Sequence, residues 1–118
     1  MAVHSLTKSE FIEKIYNIDS ENKYKFLGDK PAVIDFNTLW CMPCKTVAPI
    51  LEELSIEYQD IDFYKIDIDA ENELAGVFNV KSIPTFLFIP KEGQPMMTTG
   101  AMNKEGFKSA INEIIQGD

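Results

Sequence analysis

The stretch Val33-Ile34-Asp35-Phe36-Asn37-Thr38-Leu39-Trp40-Cys41-Met42-Pro43-Cys44-Lys45 decides how this chain is read. An apolar run with one carboxylate inside it leads into the two cysteines of the sequence, which have two residues between them. Ala32 to Asn37 has the length and character of a buried strand. Beyond the cysteines, Val47, Ile50, Leu51, Leu54 and Tyr58 recur three and four apart, which predicts a helix with one apolar face. Pro49 falls inside that helix, removes one backbone hydrogen bond and is expected to kink it. The cysteines therefore lie where a strand ends and a helix begins.

Outward from that point, strand and helix signals alternate. "VHSL" is a short strand candidate. Thr7 and Glu10 have the spacing of a capping box, and the stripe Phe11, Ile12, Ile15, Tyr16 predicts a helix over 8–17. The polar segment "NIDSENKYKFLGDKP" reads as a loop. "IDFYKIDI" is a further strand, 73–78 a short helix, and 85–89 ("TFLFI") an apolar strand. "KEGQ" is a turn, and 95–99 pairs back as an edge strand, where its proline is tolerated. Asn103 can cap a last helix with Phe107, Ala110, Ile111, Ile114 and Ile115 on one face. The order βαβαβαββα predicts an α/β fold. Crossovers require a parallel portion and the closing hairpin an antiparallel one, giving a central mixed sheet flanked by helices.

Length and composition agree with this. The 118 residues correspond to a single domain over 1–118, long enough to bury a core without crosslinks. Hydrophobic residues make up 45% and charged residues 25%, an ordinary globular balance. A net charge of −8 disfavours nucleic acid as a partner. No apolar run approaches the roughly 20 residues of a membrane span, so no membrane association is expected. The opening "MAVHSLTKSEF" has neither a basic start nor an apolar block, so no signal peptide is expected.

Three chemistries fit two cysteines at this spacing. A zinc site needs four ligands, and this chain offers one Cys-x-x-Cys and a single histidine, His4, far away in sequence. A metal or cluster shared between two chains stays open on the residues alone. A structural disulfide would close a very small loop and so constrain little of the unfolded chain. The third reading is a dithiol that cycles. Cys41 falls at a helix N-terminus, where free N–H groups and the helix dipole favour a thiolate. Pro43 fits the first turn, where its missing N–H costs nothing, and stiffens the loop. Cys44 is about one turn further on, close enough to resolve a mixed disulfide.

"WCMPCK", the strand with Asp35 before it, "APILEEL" after it, "KIDID", "SIPTFLFI" and "GAMNKEGF" together resemble a thioredoxin, in order and in spacing, over most of the chain from Ala32 onward. The resemblance implies the thioredoxin fold and a thiol–disulfide oxidoreductase that reduces protein disulfides. It matches Cys41 to the attacking cysteine and Cys44 to the resolving one. Asp35 matches the buried aspartate beneath them and Lys65 the lysine beside that aspartate. Pro84 matches the cis-proline next to the disulfide, Trp40 the tryptophan before the first cysteine, and Gly100 a glycine on the substrate-facing surface. Two positions depart from the family pattern: Met42 replaces the usual glycine, and Asn37 stands where many members have tryptophan.

On this reading a carboxylate inside an apolar strand has a raised pKa, which suits a group that takes and returns the proton of Cys44. Lys65 lowers that pKa by its charge. Trp40, Met42, Pro43, Ile83, Pro84 and Gly100 form the substrate-binding surface, with the Ile83 backbone free to pair with an extended substrate. No prosthetic group is required beyond the Cys41–Cys44 pair. The implied partners are disulfide-containing proteins and an upstream reductase, either thioredoxin reductase or a membrane electron donor, with the chain itself a monomer. A reducing cytoplasm is the expected location, and the bacterial periplasm the alternative if a leader was removed. The competing function is a binding module that keeps the fold and docks partners with little turnover.

Overall fold

The computed structural model describes residues 3–21 and 25–117. Its elements are β1 (Val3–Ser5), α1 (Lys8–Lys14), β2 (Ala32–Asn37), α2 (Met42–Glu57), β3 (Asp62–Asp67), α3 (Asn72–Val77), β4 (Thr85–Ile89), β5 (Met96–Thr99) and α4 (Lys104–Ala110). A π-helical turn, Ile111–Ile115, continues α4. The strands form one five-stranded sheet in the order β1-β3-β2-β4-β5. β1 and β2 run parallel to β3, and β4 is antiparallel to both β2 and β5. This is the mixed sheet that the alternation of elements predicts.

The two-residue period of a strand explains how the sheet is buried on both faces. From β2, Val33 joins a core with Val47, Leu51 and Leu54 of α2 and Phe107 and Ile111 of the C-terminal helix. Its neighbours Ile34 and Phe36 join the opposite core, with Phe11 of α1 and Leu74 of α3. β4 divides in the same way: Phe86 and Phe88 go to the first core, Leu87 and Ile89 to the second. Central strands covered on both sides read as continuous apolar runs for this reason. The same alternation places Asp35, two residues after Val33, on the face beneath α2.

Element ends depart from expectation by local chemistry. α1 stops at Lys14 and not at residue 17. Asn17 opens a turn, its side-chain oxygen accepting from the Asp19 N–H and its carbonyl from the Ser20 N–H. β5 starts at Met96, one residue later than predicted, because Pro95 has no N–H to contribute to the ladder. α3 starts one residue earlier than predicted, at Asn72. α2 runs unbroken through Pro49. The Thr7–Glu10 capping box and the Asn103 cap are both formed. Residues 22–24 of the predicted loop lie outside the described residues.

Candidate active site

The site is built where β2 hands over to α2. Cys41 is the N-cap of this 16-residue helix, and its Sγ accepts the backbone N–H of Cys44 at 3.2 Å. Met42 and Pro43 occupy the first turn, so the proline sits where no hydrogen bond is lost. Cys41 and Cys44 are joined as a disulfide with their Cα atoms 5.3 Å apart. Each cysteine is 4% exposed. Burial therefore does not distinguish them in the oxidised state. Position on the helix does distinguish them. Cys41 alone caps the positive end of α2, where an anionic sulfur is stabilised by the N–H groups and the dipole.

Beneath the disulfide, Asp35 is 2% exposed. Burial pushes its carboxyl up to about 6, opposed first by a hydrogen bond from Asn37 and then by the charge of Lys65. Asn37 Nδ2 donates to Asp35 Oδ2 at 3.2 Å. Lys65 is the residue directly across from Asp35 in the parallel β2–β3 ladder. Asp35, Asn37, Thr38, Cys44 and Lys65 line one cleft of about 530 Å³ between the sheet and α2. Two buried oxygens at this level, Asp35 Oδ1 and Thr38 Oγ1, have no hydrogen-bond partner among the described residues. A titratable carboxyl thus shares a cavity with Cys44.

The outer side of the disulfide is apolar and open. Trp40 is 69% exposed and Met42 67%, and Leu39 beside them is exposed as well. The Trp40 indole is held in place, its Nε1–H donating to Asp69 Oδ2 at 2.9 Å. Asp69 lies on the turn after β3, braced by its own N–H donating to Asp67 Oδ1 at 2.9 Å. The Ile83–Pro84 peptide bond is cis, and the Pro84 carbonyl accepts the Gly100 N–H at 2.8 Å. Gly100 has φ +100 with open space around it, so the requirement for glycine comes from its backbone conformation and not from crowding.

The predicted residues thus fall into two groups. Cys41, Cys44, Asp35 and Lys65 meet at the β2–α2 junction and the cleft under it. Trp40, Met42 and Pro43 rim its outer side, and Ile83, Pro84 and Gly100 belong to the connected entry and exit of the β4–β5 hairpin. Two contributors escape sequence reasoning. Asp69 holds Trp40, but in the sequence it is one acidic residue in a run of several. Asn37 reads as a departure from a pattern, and only the fold shows its amide on the Asp35 carboxylate. Among the described residues, no group of three or more His, Cys, Asp or Glu side chains is arranged to hold a metal ion. No helix of the described residues is long and apolar enough to cross a membrane.

Comparison with known proteins bears on the same site. The family model "Thioredoxin" matches residues 2–113. Thioredoxin from Borreliella burgdorferi is 41% identical over 111 residues, 93% of this chain and 95% of that protein. Human thioredoxin is 39% identical over 88 residues, covering 75% of this chain and 83% of that one. Among solved structures, Malassezia sympodialis thioredoxin (Mala s 13) superposes with a TM-score of 0.73 at 30% identity, over 94% of this chain and 89% of that one. Chloroplastic thioredoxin z superposes with a TM-score of 0.76 at 23% identity over 96% and 94% of the two chains, a likeness of fold.

Proposed function

The chain belongs to the thioredoxin family and is a protein-disulfide reductase, and on that premise we propose how its residues divide the reaction. The Cys41 thiolate attacks one sulfur of a substrate disulfide. The other substrate sulfur leaves as a thiolate and takes a proton from solvent. The Cys44 thiol then passes its proton to the Asp35 carboxylate, and the resulting thiolate attacks Cys41 Sγ. The Cys41–Cys44 disulfide forms, and the second substrate sulfur is released. Two electrons have moved from the dithiol to the substrate, and no cofactor enters the step.

The observation that carries this assignment is the placement of the two sulfurs. Cys41 Sγ takes a backbone N–H at the N-cap of α2, whereas Cys44 lines the cleft that contains Asp35. Lys65, across the ladder from Asp35, restrains how far burial raises that carboxyl. The exposed Trp40 and Met42, with Pro43, Ile83, Pro84 and Gly100, form the docking surface, and Ile83 offers backbone groups to an extended segment of substrate. The substrates on this reading are proteins with accessible disulfides, and an upstream disulfide reductase, thioredoxin reductase or a membrane donor, regenerates the dithiol. One domain acts as a monomer in a reducing cytoplasm.

The Cys44→Ser variant tests the division of roles. Mixed with insulin, it should accumulate an adduct linked through Cys41 that dithiothreitol releases. The unaltered protein should reduce insulin at the expense of dithiothreitol. Absence of an adduct, under conditions in which the unaltered protein turns over, would remove Cys44 from the resolving role.

A further inference from the structure

Asn37 and Asp35 are two residues apart on β2, and the period of a strand places both on the face beneath α2. The Asn37 amide donates to Oδ2 of Asp35 at 3.2 Å, while the buried Oδ1 has no partner among the described residues. The two carboxylate oxygens are therefore inequivalent. An amide N–H can only donate, so an oxygen that accepts it is the poorer place for a proton. We propose that Asn37 is a positioning residue for the resolving step: its amide occupies Oδ2 of Asp35 and directs the proton of Cys44 to Oδ1.

This rests on the reading of Asp35 as the acceptor of that proton. Cys44 Sγ–H gives its proton to Oδ1, the sulfur becomes a thiolate, and Oδ2 keeps its bond to Asn37 throughout. The same bond favours the ionised carboxyl and so opposes the effect of burial, more strongly than the charge of Lys65 does. Other charged groups line the cleft: Lys45 and Glu52 from α2, Lys65 and Asp67 from β3, Glu71 after it, and Glu10 from α1. Of these, Lys65 acts on Asp35 through its charge. Asn37 is anchored independently of its side chain, since its carbonyl accepts the Ile68 N–H at 2.9 Å and its backbone pairs with Asp67 in the ladder. A change of side chain can therefore be read as loss of the amide and not as loss of the strand end.

The test uses Asn37→Leu, with the smaller Asn37→Ala as a second variant in case the leucine disturbs the strand end. The carboxyl carbon of Asp35 is followed by NMR against pH in the oxidised protein, where no thiol titrates nearby. Substrate release from the mixed disulfide is followed by stopped flow across the same range. Loss of one hydrogen bond to a charged group should move the Asp35 midpoint upward by about one pH unit, roughly a tenfold change in proton affinity. The pH profile of release should move upward with it, because the carboxylate must be free of its proton to accept one. An unmoved Asp35 midpoint in both variants overturns the proposal. So does a moved midpoint with an unmoved release profile. Asp35→Asn separates this from failure of the underlying reading: a release profile that keeps its pH dependence without the carboxyl would show that Asp35 is not the acceptor at all.

Discussion

Replacing Asp35 by asparagine should stabilise the oxidised protein at neutral and alkaline pH and do little for it in acid. The unfolded chain ionises at this position near 3.8, and the folded chain near 6 because burial opposes the charge. Between those values the unfolded state has released a proton that the folded state still holds, so stability falls as pH rises through the window. Well below it both states are protonated and nothing is lost. Above about pH 6 the whole cost is present, about 3 kcal/mol from the rise of 3.8 to about 6 at roughly 1.4 kcal/mol per unit. At roughly pH 4 part of that cost has already appeared, which leaves about 2.5 kcal/mol between pH 4 and pH 8. The amide of the variant is neutral throughout. Any penalty for burying its second N–H is the same at both pH values and cancels in the comparison. Urea unfolding of the two oxidised proteins at pH 4 and pH 8 is the assay. The gain in midpoint on substitution should be larger at pH 8 by about 1–2 M urea. An equal effect at both pH values would show that Asp35 is not held neutral by burial and would refute the reasoning.

Two further outcomes follow from the same packing. Met42→Gly removes an exposed apolar side chain beside the attacking sulfur, which should hydrate the Cys41 thiolate and favour the reduced form. Equilibration with glutathione should show a potential raised by about 10–30 mV, where 30 mV corresponds to about 1.4 kcal/mol. Phe107 is fully buried, and its ring stands edge-on to Phe86 with centroids 4.8 Å apart. Phe107→Ala should cost about 3–5 kcal/mol in chemical denaturation, with the rate of insulin reduction per folded molecule unchanged.

Much of this molecule can be read from its sequence because most of it obeys a period. The alternation of β2 and β4 between two cores, the three-and-four spacing in α2, and the caps at Thr7 and Asn103 are local patterns with one physical solution. Helix ends were less legible. Asn17 carries no mark that separates the last turn of α1 from the first turn of the following loop, and its own side chain closes that turn. The cysteine pair and the carboxylate beneath it were legible as types of residue at a spacing. The equal burial of Cys41 and Cys44 was not, because exposure depends on how segments distant in the sequence close around a residue. The bonds from Asn37 to Asp35 and from Trp40 to Asp69 were out of reach for different reasons. The first is a choice of rotamer at the end of a strand. The second joins residues 29 positions apart that nothing in the sequence pairs.

The division of labour between the sulfurs rests on Cys41, and not Cys44, being the thiolate at neutral pH. The most direct measurement is the rate of iodoacetamide alkylation of each cysteine in the reduced protein as a function of pH, with the labelled site mapped by mass spectrometry. Cys41 accepts the N–H of Cys44 at the N-cap of α2, so it should be labelled first, with a midpoint below the value of about 8.5 for a free cysteine. Cys44, above a carboxyl that must accept its proton, should react later and only at higher pH. Labelling of Cys44 at an equal or greater rate at neutral pH would contradict the assignment of attack to Cys41.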